Sequence, residues 1–171
     1  MNQQMFKKNV FIHKDRLFRF ALRFLLCKED AQDIVQNVML KLWEMRNKLT
    51  ELENIEYFAM KLTKNQCLNH LKRMKIAENY IFENTNQNIE YQIDDNNLKE
   101  YVIELINALP ECQRLVMHLK DIEEYEICDI AQILDMQKNT VRQNLARARQ
   151  KIKQQLNQLF TYEQKQIQRI A

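Results

Sequence analysis

Apolar residues recur at helical spacing along most of the sequence, and this periodicity predicts a series of amphipathic helices. The first three helical patterns cover about residues 5–26, 29–46 and 55–77, with a polar loop predicted at residues 47–54. Helicity resumes near residue 98 and pauses at Pro110. A new helix is predicted to begin there, because proline is favoured in the first turn of a helix. That new helix is predicted to end at residues 121–124.

Residues 126–153 contain two short helical patterns separated by a tight turn at residues 135–137. The second pattern has a narrow apolar stripe, formed by Val141, Leu145, Ala148 and Ile152. At about 100° per residue, the side chains opposite or beside that stripe include Asn139, Arg142, Gln143, Arg147 and Gln150. A short helix, a turn and a helix that is apolar behind and basic in front are typical of a helix-turn-helix. The simpler interpretation is a solvated basic face on a surface helix.

A second basic face is predicted on the helix at residues 55–77. Every charged residue between positions 59 and 77 is basic, and Asn65, Asn69 and His70 are interleaved with them. One such patch is a weak sign of function, but two on separate helices favour binding to nucleic acid.

Composition supports an all-α fold. The chain has 171 residues with no glycine and one proline, whereas strand proteins need glycine in their turns. Residues 78–97 are rich in Asn and acids and lack helical periodicity, so they are interpreted as a flexible acidic linker. The linker would join two small helical domains, at residues 1–77 and 98–171. Without glycine, left-handed backbone positions are expected to use Asp or Asn, such as Asp135 in the turn.

The net charge of +3 is modest, but it is unevenly distributed. Residues 1–73 carry a net charge of +6, residues 74–100 carry −4, and residues 101–171 carry +1. Two basic blocks therefore flank an acidic middle.

The pattern contains no candidate catalytic or metal chemistry. The four cysteines, Cys27, Cys67, Cys112 and Cys128, are far apart and are interpreted as small apolar fillers in a reducing cytosol. Because the three histidines lack carboxylates or cysteines at site spacing, we expect no metal, no cofactor and no catalytic residue. No run of eighteen apolar residues and no signal-peptide pattern is present, which favours a cytoplasmic protein without membrane insertion.

Three stretches of this chain resemble the small extracytoplasmic-function (ECF) type of sigma factor of bacterial RNA polymerase. Residues 29–49, EDAQDIVQNVMLKLWEMRNKL, resemble the segment that binds core polymerase. Residues 54–75, NIEYFAMKLTKNQCLNHLKRMK, resemble the helix that reads the minus-ten promoter element. Residues 108–153 resemble the C-terminal domain, including T-V-R at 140–142 and R-A-R at 147–149. Order and spacing fit over about nine-tenths of the chain.

The resemblance implies three binding surfaces. Core polymerase would contact the second helix at Asp33, Gln36, Asn37 and Lys41. The minus-ten element, with one base flipped from the non-template strand, would contact Asn47, Lys48, Lys61, Lys64, Asn65, Asn69, Lys72 and Arg73. The minus-thirty-five element would contact Lys138, Thr140, Arg142, Gln143, Ala146, Arg147, Gln150 and Lys151.

The minus-thirty-five residues divide by chemistry. Arginine pairs well with guanine, glutamine with adenine, and alanine can meet a thymine methyl group. The candidates for base edges are therefore Arg142, Gln143, Ala146 and Arg147. The candidates for phosphates are Lys138, Gln150 and Lys151. The sequence departs from the family where Asn37 replaces an acid, and where Asp135 and Asn139 replace the usual glycines around the turn.

The favoured hypothesis is a sigma factor that binds core RNA polymerase and directs promoter recognition and transcription initiation, with an anti-sigma factor as a further partner. A stand-alone helix-turn-helix regulator would explain residues 126–153, but not the second basic helix or the acidic linker. A sigma-like protein that only sequesters an anti-sigma factor would need no DNA contact, which the basic face of residues 142–150 disfavours. An enzyme is the least favoured class.

Overall fold

The computed structural model describes the backbone of residues 1–78 and 98–170, with the side chains of residues 1–75 and 100–158. Within these ranges the chain forms helices and no strand, which confirms the predicted all-α class. The α-helices are α1 (Gln3–Asn9), α2 (Lys14–Leu25), α3 (Lys28–Glu44), α4 (Ile55–Glu78), α5 (Leu98–Asn107), α6 (Glu111–Met117), α7 (Ile127–Leu134) and α8 (Lys138–Ile170). Two 3-10 turns, Phe11–His13 and Lys48–Glu51, and a π-helical segment, His118–Ile122, complete the described elements. The predicted linker at residues 78–97 lies outside the described residues apart from Glu78.

The first predicted helix is divided in the structure. The side chain of Asn2 caps α1 by accepting a hydrogen bond from the Met5 amide at 2.9 Å. Val10 then leaves helical geometry at φ −120° while its side chain enters the core, and a 3-10 turn leads into α2. Phe11 and Ile12 on that turn are 49% and 65% exposed. The expectation of one helical stretch over residues 5–26 is therefore wrong at residues 10–13.

Helices α1 to α4, which we call the N-terminal group, surround one apolar core. Five residues from three helices are fully buried in it: Leu17 and Phe20 from α2, Val38 and Leu42 from α3, and Met60 from α4. The predicted inner face of α3 is confirmed, because its buried residues are Ala31, Ile34, Val35, Val38 and Leu42. The opposite face of α3 is exposed to solvent.

Helices α5 to α8 form the C-terminal group, in which α6 and α7 pack against α8. The predicted apolar stripe of α8 is confirmed: Val141 and Ala148 are fully buried, and Leu145 and Ile152 are 7% and 6% exposed. Burial of this stripe fixes the rotation of α8, so that Arg142, Gln143, Arg147 and Gln150 lie on its exposed side.

Arg114 on α6 connects the two groups. Helices α2 and α5 end at Leu25 and Asn107, where the last carbonyl groups have no partner within the helix. The Arg114 guanidinium donates to the carbonyl oxygen of Arg23 at 2.8 Å and to that of Asn107 at 2.9 Å. One buried cation therefore satisfies the carboxyl ends of two helices from different groups.

Left-handed backbone occurs at three described positions, and the sequence anticipated one of them. Asp135, at φ 53°, ends α7 as expected for a residue that tolerates this region. Leu26 at φ 58° and Glu124 at φ 62° are also left-handed, so the expectation that only Asp or Asn would be used is wrong. The Leu26 amide donates to the Leu22 carbonyl at 2.8 Å and closes the end of α2, which accounts for its geometry.

Candidate nucleic-acid interface

The predicted helix-turn-helix is formed by α7, residues 135–137 and α8. The left-handed Asp135 amide bonds to the Ala131 carbonyl, and the Met136 amide bonds to the same oxygen at 2.9 Å. These bonds end α7 and reverse the chain within three residues. The α8 helix then begins at Lys138, so the turn lies where the sequence predicted it.

The face of α8 opposite its buried stripe is open to solvent. All of the residues predicted for the minus-thirty-five element are exposed: Lys138, Thr140, Arg142, Gln143, Ala146, Arg147, Gln150 and Lys151. Arg142 Nη1 also donates to Asn139 Oδ1 at 3.1 Å, one helical turn back. Asn139 thereby orients one predicted base-reading arginine, a role that the sequence analysis did not assign to it.

The basic face of α4 is exposed along most of its length. Lys61, Asn65, Asn69, Lys72 and Arg73 are all exposed. Lys64 is the exception: its side chain is 7% exposed and forms an ion pair with Asp135 of the helix-turn-helix. Periodicity within α4 gave no sign of this pairing, since Asp135 lies 71 positions further along the chain.

The loop between α3 and α4 borders a cavity of about 430 Å³. Its lining residues come from the end of α3, from the loop and from the first turns of α4: Lys41, Glu44, Met45, Lys48, Phe58 and Leu62. Lys48 and its neighbour Asn47, the two loop residues predicted for the minus-ten element, are both exposed. The Asn47 Oδ1 atom also accepts from the Met1 ammonium group at 3.2 Å. The cavity thus combines an aromatic ring with two lysines and is open to solvent.

The outer face of α3 carries the residues predicted to bind core polymerase. Asp33, Gln36, Asn37 and Lys41 are all exposed on one side of the helix. Leu40 lies beside them and is 57% exposed, although the apolar periodicity did not mark it as a surface residue. A mixed polar and apolar surface of this kind is suited to a protein partner.

Two carboxylates, Asp135 and Asp121, form ion pairs with residues of the basic surfaces. The ammonium groups of Lys61 and Lys64 lower the pKa of Asp135, so its carboxylate remains ionised beside them. On α8, hydrogen bonding to Asp121 raises the pKa of Arg149. Asp135 therefore offsets one of the two positive charges of Lys61 and Lys64, and Asp121 offsets that of Arg149.

Two of the four cysteines differ from their predicted role. Cys67 is fully buried, and burial raises the pKa of its thiol to about 12. Cys112 and Cys128 are exposed, so their interpretation as apolar fillers is wrong.

In the described ranges, no three His, Cys, Asp or Glu side chains are grouped so that they could hold a metal ion. None of the described helices combines the length and apolarity that crossing a membrane requires.

Comparison with protein families identifies two matching segments. The model of Sigma-70 region 2 matches residues 12–75, and the model of Sigma-70, region 4, matches residues 99–152. The chain is 27% identical over 162 residues to the ECF RNA polymerase sigma factor SigM of Mycobacterium tuberculosis, covering 92% of this chain and 78% of SigM. It is 25% identical over 139 residues to the RNA polymerase sigma factor SigV of Bacillus subtilis, covering 80% of this chain and 81% of SigV.

Solved structures share the fold. The sigma factor RpoE of Bartonella quintana, in complex with the anti-sigma factor NepR, aligns with a TM-score of 0.72 at 19% identity. That alignment covers 90% of this chain and 98% of the other. CnrH, in complex with the cytosolic domain of CnrY, aligns with a TM-score of 0.62 at 19% identity, over 91% of this chain and 90% of the other.

Proposed function

The chain is an ECF-type sigma factor of the sigma-70 family. We propose that two of its exposed surfaces recognise promoter DNA and that a third binds core polymerase. The single observation that carries this proposal is the arrangement of α8. Its apolar stripe is buried, and every residue predicted to read the minus-thirty-five element points into solvent. A helix of about 10–12 Å diameter with these side chains fits the major groove of B-DNA, which is about 12 Å wide.

On α8, we assign base reading to Arg142, Gln143, Ala146 and Arg147. These residues occupy two successive turns of one face, near the amino-terminal end of the helix, where helix-turn-helix proteins place their base contacts. The phosphate contacts are assigned to Lys138, Gln150 and Lys151, with Thr140 at the helix start. One good bidentate pair discriminates between bases by about 1–3 kcal/mol.

On α4 and its preceding loop, we assign the minus-ten element. The exposed row Lys61, Asn65, Asn69, Lys72 and Arg73 would follow the DNA backbone. The cavity beside Lys48 would receive the flipped base, because the Phe58 ring offers an apolar surface and Lys48 can reach a phosphate. Flipping a base costs a few kcal/mol, which stacking and phosphate contacts in such a pocket would offset.

On α3, we assign the core-polymerase contact to Asp33, Gln36, Asn37 and Lys41, and we add Leu40 at the centre of that surface. Residues 1–77 and 98–171 would act as two domains, with residues 78–97 as the connection. The protein would have no catalytic activity of its own and would act in the cytoplasm, where core polymerase and the chromosome are.

We also propose an anti-sigma factor as a partner, since the similar structure of RpoE is a complex with the anti-sigma factor NepR. The exposed apolar residues Phe11, Ile12 and Leu40 on the N-terminal group offer contact area for it. A partner covering Leu40 would compete with core polymerase, and its addition would reduce core-dependent transcription.

The experiment that tests the function is core-dependent transcription. The purified protein is mixed with core RNA polymerase and a promoter library, and initiation is measured by sequencing the RNA 5′ ends. We expect initiation from a defined subset of promoters that share two elements. Absence of core-dependent initiation from every promoter would contradict the sigma assignment, and tight specific binding to duplex DNA by the protein alone would favour a stand-alone regulator.

A further inference from the structure

Two arginines of α8 leave the helix on the same flank of its exposed face. At about 100° and 1.5 Å per residue, Arg142 and Arg149 are about 20° apart around the helix axis and about 10 Å apart along it. Both lie about 90–110° from the centre of the exposed face, where Gln143 and Gln150 are found. An arginine on this flank can extend either toward the body of the protein or toward the exposed face.

The two guanidinium groups have different partners. Arg149 forms an ion pair with Asp121, which holds its guanidinium against the protein. Arg142 Nη1 instead donates a hydrogen bond to Asn139 Oδ1 at 3.1 Å, three positions back in the chain. Asn139 lies about 60° closer than Arg142 to the centre of the exposed face. The hydrogen bond therefore draws the Arg142 guanidinium away from the flank and toward the face that is assigned to the major groove.

This hydrogen bond orders Arg142 before DNA is present. It lies at the start of α8, whose rotation relative to the core is fixed by the buried apolar stripe. Glycine, the residue that this family usually has at position 139, has no side chain that could accept the bond. An arginine side chain has several rotatable bonds, and a hydrogen bond formed before binding reduces the cost of ordering it. Asn139 thus gives this chain a pre-ordered arginine at the groove-facing surface.

The Arg142 guanidinium keeps enough donors to read a base. A guanidinium has five N–H groups, and the hydrogen bond to Asn139 uses one of those on Nη1. Guanine presents two acceptors, O6 and N7, in the major groove, and the parallel N–H groups of Nε and Nη2 match this pair. Adenine presents an amino group in place of O6, and that donor opposes the guanidinium. An oriented Arg142 therefore favours guanine.

We propose that Asn139 is a specificity-determining residue, which positions the Arg142 guanidinium so that Arg142 selects guanine at one position of the minus-thirty-five element. This inference rests on the proposed base-reading role of Arg142. Asn139 acts through Arg142 and makes no base contact of its own. Selectivity at that position then depends on both residues, and the effect of Asn139 disappears when Arg142 is absent.

A double-mutant cycle in the holoenzyme tests this coupling. Asn139→Ala, Arg142→Ala and the double variant are each assembled with core RNA polymerase, and their binding to a library of minus-thirty-five variants is compared with that of the wild type. Alanine is the strongest helix former, so Asn139→Ala preserves α8, and urea denaturation checks this. The matched control is Gln158→Ala, which removes an exposed amide from the same helix, about 29 Å from Asn139 at 1.5 Å per residue.

We expect Arg142→Ala to reduce the preference for guanine at one position by about 5- to 150-fold, the effect of losing one bidentate pair. Asn139→Ala should reduce the same preference by about three- to tenfold, because one hydrogen bond is lost while the guanidinium remains. When Arg142 is already alanine, adding Asn139→Ala should change no preference by more than about twofold. Gln158→Ala should likewise keep every preference within about twofold of the wild type.

Asn139→Asp separates positioning from a merely structural role. Aspartate keeps an acceptor at Oδ1, so the preference for guanine should stay at the wild-type level. Its added negative charge should weaken binding to all sequences alike, because it repels the DNA phosphates. If Asn139→Asp loses the preference for guanine as Asn139→Ala does, the acceptor is not what matters and the proposal is overturned.

Two results of the cycle would also overturn the proposal. If Asn139→Ala keeps the wild-type preference for guanine, Asn139 does not position Arg142. If Asn139→Ala still changes a base preference when Arg142 is alanine, Asn139 reads a base itself. Unchanged preferences in Arg142→Ala would remove the base-reading role of Arg142, and this inference with it. Core-dependent transcription by the wild type tests the sigma assignment separately, so that assignment stands whichever of these results is obtained.

Discussion

Arg149 on α8 binds Asp121 of the π-helical segment through two hydrogen bonds, from Nε at 3.1 Å and from Nη2 at 2.5 Å. Both residues lie in the C-terminal group, 28 positions apart. Arg149 belongs to the basic run of α8, yet its guanidinium points back toward the protein. A basic residue of the second helix of a helix-turn-helix can thus form an ion pair within the protein, and positive charge alone does not identify a DNA contact.

The first prediction concerns Arg149→Ala. Because the Arg149 side chain is 54% exposed, loss of its ion pair should lower the free energy of unfolding by less than about 1 kcal/mol. The salt dependence of promoter binding by the holoenzyme should stay unchanged, since Arg149 makes no phosphate contact in our assignment. Urea denaturation and salt-dependent anisotropy measure the two effects. A flatter salt dependence would show that Arg149 leaves Asp121 and contacts DNA.

The second prediction separates base contacts from phosphate contacts on α8. Arg147→Ala should relax selectivity at one position of the minus-thirty-five element by about 1–3 kcal/mol. Lys151→Ala should instead weaken binding to all sequences alike and flatten the salt slope by about one. Holoenzyme binding to a library of minus-thirty-five variants, at two salt concentrations, gives both quantities. Equal and uniform losses in the two variants would contradict the division of roles.

The helices and their buried faces could be predicted because they depend on neighbours three or four positions away. The α8 stripe illustrates this: Val141 and Ala148 are fully buried as the periodicity indicated. The position of the turn at Asp135 followed from the end of one apolar pattern and the start of the next. Local pattern was therefore sufficient for the fold class and for the exposed face of the recognition helix.

Features that depend on distant residues could not be predicted. The family resemblance implied a DNA contact for Lys64, but its side chain is buried and pairs with Asp135, 71 positions away. The interaction of Glu123 with Arg19 spans 104 positions, and no spacing rule connects them. Leu26 and Glu124 adopt left-handed geometry that their residue types do not favour. The path of the chain between helices determines the geometry at both positions, and the residue type does not.

The third prediction concerns Arg114, which is buried and binds carbonyl groups at the ends of α2 and α5. Arg114→Met should lower the free energy of unfolding by about 2–4 kcal/mol, because it leaves buried carbonyls without donors. The matched control is Lys7→Met, at an exposed position of α1, which should change it by less than about 0.5 kcal/mol. Urea denaturation monitored by circular dichroism measures both. Equal stability of the two variants would mean that water replaces the guanidinium without cost.

The fourth prediction is a pH dependence due to His118, which is 1% exposed in the C-terminal group. Burial and, secondly, the nearby Arg23 cation lower its pKa to about 4. The unfolded chain, with an ordinary histidine pKa of about 6.5, therefore binds more protons than the folded chain between these two values. Stability from neutral His118 is fully present above about pH 6.5 and is lost as the pH falls toward 4, by up to a few kcal/mol.

Urea denaturation at pH 7.5 and pH 5.5 checks this dependence. The wild type should lose stability at the lower pH, and His118→Leu should lose less over the same interval. The control is Asn69→Gln, a change between groups that do not titrate at an exposed position of α4, and it should show the pH dependence of the wild type. If the wild type and His118→Leu lose the same stability between the two pH values, the loss comes from the protonation of another group.

The last prediction concerns the cavity between α3 and α4, which is lined by Lys48 and Phe58 among others. If this cavity holds the flipped base of the minus-ten element, Phe58→Ala and Lys48→Ala should reduce strand opening while leaving the affinity for core polymerase unchanged. Loss of one stacking contact in Phe58→Ala corresponds to about 1–3 kcal/mol, or about a 5- to 150-fold drop in open complexes under limiting conditions. Permanganate reactivity of unpaired thymines measures opening, and fluorescence anisotropy measures core binding. The control is Lys75→Ala, an exposed position near the other end of α4.

If Phe58→Ala and Lys48→Ala open the promoter as the wild type does, the cavity does not hold the flipped base. If they fail to bind core polymerase, the cavity belongs to the polymerase interface instead.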